Sequence, residues 1–146
     1  MNSIRTSFAD SKQCKAIFSY HSRISNRLTS RESSWLEFKE SFNWENKSKY
    51  AKTMAAFANN KGGYIVFGVQ NNPKNLVGLK NDKFESFDES KITEYLNGAF
   101  SPEIKFEKFS LEISSKSVGI LYTYQSEFLP IVCTRNDVDM KEAEIY

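Results

Sequence analysis

Apolar residues change their spacing several times along this chain, and each change marks an element. Residues 35–39 (WLEFK) alternate apolar and polar side chains, the two-residue period of a strand, with either Trp35 or the Leu36/Phe38 pair turned toward a core. From Asn46 to Asn60 the period lengthens. Tyr50, Met54, Phe57 and Ala58 recur on one face while Lys49, Lys52, Ala56 and Asn59 lie toward the other, which predicts an amphipathic helix. The run Asn59-Asn60-Lys61-Gly62-Gly63 ends it, because Asn and Gly tolerate the left-handed backbone used at helix C-termini. Tyr64 to Val69 (YIVFGV) is then a nearly continuous run of β-branched and aromatic residues, as expected of an interior strand. Gly68 within it predicts a bulge or a close approach to the backbone. Asn71-Asn72-Pro73-Lys74-Asn75 reads as a turn, and Leu76-Val77-Gly78-Leu79 as a short returning strand.

A second helix fits Asp88 to Asn97, with Ile92, Tyr95, Leu96 and Ala99 on one stripe and Gly98, then Ser101-Pro102, stopping it. Beyond it the period is two. Ile104 and Phe106 share one parity, whereas Phe109, Leu111 and Ile113 take the other, which predicts a bulge or tight turn at Glu107-Lys108. Val118, Ile120, Tyr122 and Tyr124 alternate in the next strand, and Pro130 to Cys133 starts another. Residues 1–30 are polar, Ser-rich and basic, with a short apolar stretch at Ala16-Ile17-Phe18 and a short helix placed near Ser22 to Leu28. The chain divides into this basic extension and one domain over residues 31–146. The element order predicts an α+β fold, a mixed sheet flanked by two main helices.

Composition narrows the class. The 146 residues are 40% hydrophobic and 26% charged, and no apolar run approaches the ~20 residues of a membrane span, so a spanning helix is excluded. Arg5 is followed by polar residues rather than an apolar segment, which argues against a secretory signal. Cys14 and Cys133 cannot build a disulfide framework or a four-ligand zinc site, so a reducing cytoplasm is the expected setting. The net charge of +2 conceals blocks. Residues 1–31 hold six basic side chains against Asp10, and residues 46–81 hold six lysines with no acid. The acids concentrate in 32–45 and 82–94. Such segregation suggests a basic surface for a polyanion, whereas for any single lysine an ordinary solvated side chain is the better reading.

Most of the chemistry a sequence can advertise is missing. The lone His21 lies in the N-terminal region, so no Ser or Cys triad is supported, and His21, Cys14 and Cys133 match no metal-ligand spacing. No Gly-Lys-Ser/Thr loop exists to cradle a nucleotide phosphate. The amides of Gly62 and Gly63 are candidates to approach a phosphate, but a helix C-terminus is the negative end of the dipole, and a plain helix-to-strand turn explains them as well. Tyr64, Tyr122 and Tyr124 are candidates to stack on bases, although their core periodicity favours packing. Glu37 and Lys39 share one parity of the first strand, the spacing of an ordinary surface ion pair, while Glu32 lies outside it.

Glu32-Ser33 followed by WLEFKESF, then KTMAAFANNKGGYIVFGV, a turn and LVGL, closely resembles the AlbA-type nucleic-acid-binding domain of Schlafen proteins and many bacterial transcriptional regulators. The resemblance is densest from Glu32 to Leu79 and weaker to Tyr146. It implies an α/β domain that binds DNA or RNA, in some members with metal-dependent ribonuclease activity. In those members two glutamates precede the Phe-Lys pair and a third carboxylate follows the Gly-Val. The first two are here Glu32 and Glu37, expected as catalytic residues and as ligands of a hard cation, magnesium or manganese. The third falls on Asn71, and an amide brings no charge to hold a cation, so metal binding should weaken. The family's older ATP-binding label gets no support from the residues. The family domain typically closes with an Ile-Tyr pair and a basic residue, so a chain stopping at Glu144-Ile145-Tyr146 suggests a domain truncated at its C-terminal end.

Three readings follow. The first is a nucleic-acid-binding domain of a transcriptional regulator, contacting phosphates through Arg31, Lys39, Lys49, Lys52, Asn59, Lys61 and Lys74 with Arg27 nearby. The second is a divalent-metal endoribonuclease using Glu32 and Glu37. The third is an interaction or oligomerisation module of a defence or regulatory protein, acting as a homodimer.

Overall fold

The computed structural model describes residues 12–19 and 27–146. Most of the helix expected near Ser22 to Leu28 lies outside the described residues. The elements in chain order are α1 (Lys12–Ile17), β1 (Leu36–Lys39), α2 (Lys47–Ala58), β2 (Gly63–Phe67), β3 (Val69–Gln70), β4 (Asn75–Leu76), α3 (Lys83–Ser86), α4 (Glu89–Ala99), β5 (Phe100–Ser101), β6 (Phe106–Ile113), β7 (Lys116–Thr123) and β8 (Val132–Cys133). A 3-10 turn over Trp44–Asn46 leads into α2, with Asn43 capping it through its side chain to the Glu45 amide. The main sheet has the order β1-β2-β7-β6; β1 and β2 are parallel and the other pairs antiparallel, so the sheet is mixed and the fold α+β. Among the described residues no helix is long and apolar enough to cross a membrane.

Alternation along the central strands feeds two cores. Ile65, Phe67 and Leu121 face α2 and α4, joining Met54, Phe57, Ile92 and Leu96. Leu36, Phe38, Tyr64, Val66, Val118 and Ile120 face the opposite side, where Cys14, Ile17, Phe18 and Leu28 cover them with Val69 and Leu76. Both sheet faces are therefore dry, which explains why β2 is buried at every position rather than at alternate ones. The described residues of the basic extension are part of this second layer: Ile17 is fully buried in it, the Ser30 hydroxyl donates to the Ile17 carbonyl, and the Leu28 amide donates to the Lys74 carbonyl.

The same two-sidedness corrects the expected break at Glu107-Lys108. β6 runs in unbroken register from Phe106↔Thr123 to Ile113↔Lys116. Phe106 packs on the first core and Phe109, Leu111 and Ile113 on the second, so the change of parity is a change of core. α4 also runs one residue past Gly98, whose missing Cβ leaves room for the Arg135 guanidinium. Gly68 meets its expectation of a close approach. It takes φ of +113° between β2 and β3, and its carbonyl accepts the amides of Val77 and Gly78. The returning strand starts one residue earlier than expected, at Asn75, and of the expected Leu76–Leu79 only Leu76 pairs with β3, because Leu79 crosses to the Ser117 carbonyl.

Candidate nucleic-acid interface

β1 lies at the edge of the sheet, and its outward backbone groups are closed by the Ser33 backbone at Leu36 and by side chains at Phe38. The Trp35 and Lys39 carbonyls accept amides at either end of β2, so by the alternation of a parallel ladder Phe38 points its polar groups outward. The Phe38 amide donates to Glu32 Oε1 at 3.1 Å, and the Phe38 carbonyl accepts from Asn71 Nδ2 at 3.3 Å. Glu32 and Asn71 thus meet at one residue of the edge strand and satisfy it. An ionised carboxylate in place of Asn71 has no hydrogen to offer that carbonyl. The amide is the chemistry the position uses.

Glu37 projects from the sheet face toward α2. Its Oε2 accepts from the Thr53 hydroxyl at 3.0 Å and lies 3.8 Å from Lys39 Nζ, a half-exposed pair of the kind that adds little stability. Among the described residues no three His, Cys, Asp or Glu side chains converge as a metal site. The donor set of Glu32, Glu37 and Asn71 does not fit a three-carboxylate cation site. One acid is held on a strand amide, the other on a helix hydroxyl, and the third place donates hydrogen rather than charge.

A cavity of about 380 Å³ lies between the chain entering β1 and the solvent side of α2, lined by Ser33, Ser34, Glu37, Lys52, Asn60 and Tyr146 among others. Lys49 and Lys52 are exposed on α2. Arg31, exposed, lies two residues before the lining serines, and Lys61, exposed, follows Asn60. Lys39 borders Glu37. Lys74 is half-buried in the β3–β4 turn, outside the residues lining this groove. Asn59 faces inward: its Nδ2 donates to the carbonyls of Ile131 and Tyr146 at 3.1 and 2.9 Å, and its Oδ1 accepts the Ile131 amide at 2.7 Å. Both ends of that amide are used within the protein, which removes Asn59 from the surface expected to meet phosphate.

Those bonds belong to a clasp made by the C-terminal segment. Ser48 donates to Asp139 at 2.7 Å, and the Tyr95 hydroxyl donates to Asp137 at 2.5 Å. Arg135 stacks over the Tyr95 ring at 4.6 Å and Lys47 lies 5.2 Å from its centroid. Burial, then the Asp137 bond, pushes the Tyr95 phenol up to about 12. Asp137 is held below the ordinary carboxylate range by the Tyr95 hydroxyl first, then by the Val138 amide, Arg135 and Lys47. The clasp ends with Tyr146 at the groove, where its hydroxyl accepts the Lys141 amide and Lys52 Nζ sits 4.9 Å over its ring.

Two phosphate or base contacts considered from sequence are filled by protein. Added to Gly62, a Cβ would lie 2.7 Å from the Thr123 carbonyl, and on Gly63 the same distance from the Trp35 carbonyl and the Phe57 ring. The double glycine is a packing device, and the Gly62 amide is bonded to the Phe57 carbonyl. Tyr64 is buried, its ring 4.8 Å from that of Tyr122, which in turn meets Tyr124 at 5.1 Å. Sequence reasoning missed Tyr146 as a lining residue. Its only local signal is aromatic character, and contacts more than eighty residues apart place it.

The sequence model of the Schlafen, AlbA_2 family matches residues 32–145. A protein of Ureaplasma parvum serovar 3, named as an uncharacterized ATP-binding protein, is 39% identical over 143 residues, spanning 89% of this chain and 40% of the relative. The chain therefore covers less than half of that relative's length. Among solved structures, a Corynebacterium diphtheriae protein gives a TM-score of 0.57 at 16% identity, over 92% of this chain and 24% of that one. The N-terminal domain of an ATP-dependent DNA helicase RecG-related protein from Nitrosomonas europaea gives 0.51 at 19% identity, over 80% of this chain and 81% of that one. Identities this low carry the fold alone.

Proposed function

The chain belongs to the Schlafen, AlbA_2 family, and from that premise we propose that it binds nucleic acid along the groove between β1 and α2. The observation that carries this reading is a groove lined by the exposed Lys52, with Lys49 exposed on the same helix and Arg31 and Lys61 exposed within two residues of lining positions along the chain. Lysines of this kind hold phosphates without reading bases, so sequence preference is weak. Glu37 stands among them with its charge partly balanced by Lys39. The reading is of a binder rather than a nuclease because the third acid of a metal site is an amide engaged on a strand carbonyl. The ATP-binding name of the Ureaplasma relative is not carried over, since the glycines here are filled by protein and no phosphate loop is present.

Four such cations predict that log affinity falls with log salt with a slope on the order of −3. The Lys49→Glu, Lys52→Glu double variant should bind at least roughly ten-fold more weakly and with a shallower slope. Fluorescence anisotropy with labelled DNA and RNA oligonucleotides across a salt series measures both. Undetectable binding at low salt overturns the proposal. Manganese-supported cleavage of structured RNA, lost in Glu37→Ala, would overturn the pure binding reading in favour of an enzyme.

A further inference from the structure

Two aromatic residues line the groove in addition to its charges, the buried Phe57 and the half-exposed Tyr146, and the exposed ring bears on which form of nucleic acid the groove takes. Tyr146 is half-exposed and lines the cavity, and it is fixed rather than dangling: Asn59 holds its carbonyl at 2.9 Å, the Lys141 amide holds its hydroxyl at 2.9 Å, and the Phe100 ring meets it edge-on at 6.4 Å. Lys52 lines the same cavity and places its exposed ammonium 4.9 Å over the ring, so one π-face of Tyr146 lies beneath a solvated cation at the groove. The cavity of about 380 Å³ is at the small end of ligand-sized pockets, roughly 300–1,000 Å³. An unpaired nucleotide has the flat face and the bulk to enter such a space, whereas a stacked duplex keeps its base faces covered and presents only its backbone.

We infer that Tyr146 is a stacking platform for an unpaired base, with Lys52 moving from the ring to the adjacent phosphate, so that the groove selects single-stranded over double-stranded nucleic acid. The exchange is favourable in direction, because a base on an aromatic ring is held more strongly than an exposed ammonium over it. Every base has a π-face, so the selection is for strandedness and not for sequence. This inference rests on the nucleic-acid reading of the groove.

The test compares a single-stranded homopyrimidine oligonucleotide with a duplex of equal length, by anisotropy at fixed low salt, on the full chain. Wild type and Tyr146→Phe should prefer the single strand. Tyr146→Leu, which keeps apolar bulk against Phe100, should lose roughly ten-fold in single-strand affinity while duplex affinity stays within about two-fold. A Tyr146→Trp variant gives an independent signal, with indole fluorescence quenched as the single strand stacks on it. Equal single-strand affinity in Tyr146→Leu and wild type, or tighter binding because Lys52 has been released, overturns the stacking role and leaves the general binding reading intact. Absence of binding by wild type to either form overturns the general reading instead. Thermal melting of each variant shows whether the clasp is still seated, and unquenched Tyr146→Trp in a folded protein that binds counts against the inference.

Discussion

At the scale of single residues, Glu32 and Glu37 have separate surroundings and should respond differently to the same change. Glu32 accepts a strand amide and Glu37 accepts a helix hydroxyl, and glutamine preserves an acceptor oxygen at both. Only Glu37 lines the groove, where its negative charge faces any incoming phosphate. Glu37→Gln should therefore tighten nucleic-acid binding about two- to five-fold at low salt, with little change in stability. The gain should fade as salt screens the repulsion over roughly 10 Å at 0.1 M. A salt-resolved anisotropy series on this one variant checks it, and weaker binding would show that the carboxylate itself, or a cation on it, engages the ligand. Asn71 is the residue at which the family pattern and the local physics diverge. Where ribonuclease relatives are expected to carry an acid, this chain needs a hydrogen to give to Phe38.

Among the elements, the C-terminal clasp joins α2, α4 and the groove, and its chemistry makes it sensitive to pH at both extremes. Asp137 is ionised more readily in the folded protein than in the open chain, so its contribution is complete above the ordinary carboxylate value near 4 and is lost as pH falls through the depressed one. Tyr95 has the opposite sign. Its neutral phenol is favoured, so that contribution is complete below about 10 and is lost as pH rises toward about 12. Urea denaturation should thus show stability declining in strong acid and again in strong alkali, with Tyr95→Phe lessening the alkaline decline, which the raised phenols of Tyr50, Tyr122, Tyr124 and Tyr146 share, and Asp137→Asn lessening the acid one, which Asp88 shares. The clasp also shows where sequence reading stopped. β1, α2, β2 and α4 were legible because their apolar spacing matches their period and their burial. The hairpin between β6 and β7 turns on Ser114 and Ser115, both with positive φ, where Asn and Gly are the residues that signal such a turn. The clasp has no period to read, since single long-range hydrogen bonds from Asn59, Ser48 and Tyr95 hold it. That is why Asn59 resembled a surface residue and Tyr146 did not register as a site.

For the molecule as a whole, a sheet covered on both faces makes the N-terminal segment part of the fold. The family match begins at residue 32, yet Cys14, Ile17, Phe18 and Leu28 close the core over Leu36, Tyr64, Val66 and Ile120. Burying an aliphatic or aromatic side chain fully contributes about 1.5–3 kcal/mol, and a domain holds only about 5–15 kcal/mol in total. Losing Ile17, Phe18 and Leu28 together removes a large share of that margin. A chain cut to residues 32–146 should therefore unfold without a sharp transition and bind a hydrophobic dye. The cut also deletes Lys12, Lys15, Arg27 and Arg31, so any fall in nucleic-acid affinity would mix lost folding with lost charge. Ile17→Ala separates them: it keeps every charge and should cost about 2–4 kcal/mol in urea denaturation, while low-salt affinity of the folded fraction stays unchanged. A full-length midpoint in the 32–146 chain would mean that the second face closes without this cover. Reduced affinity in folded Ile17→Ala would instead tie the second core to the geometry of β1, whose Phe38 lies in that core while its polar edge is held by Glu32 and Asn71.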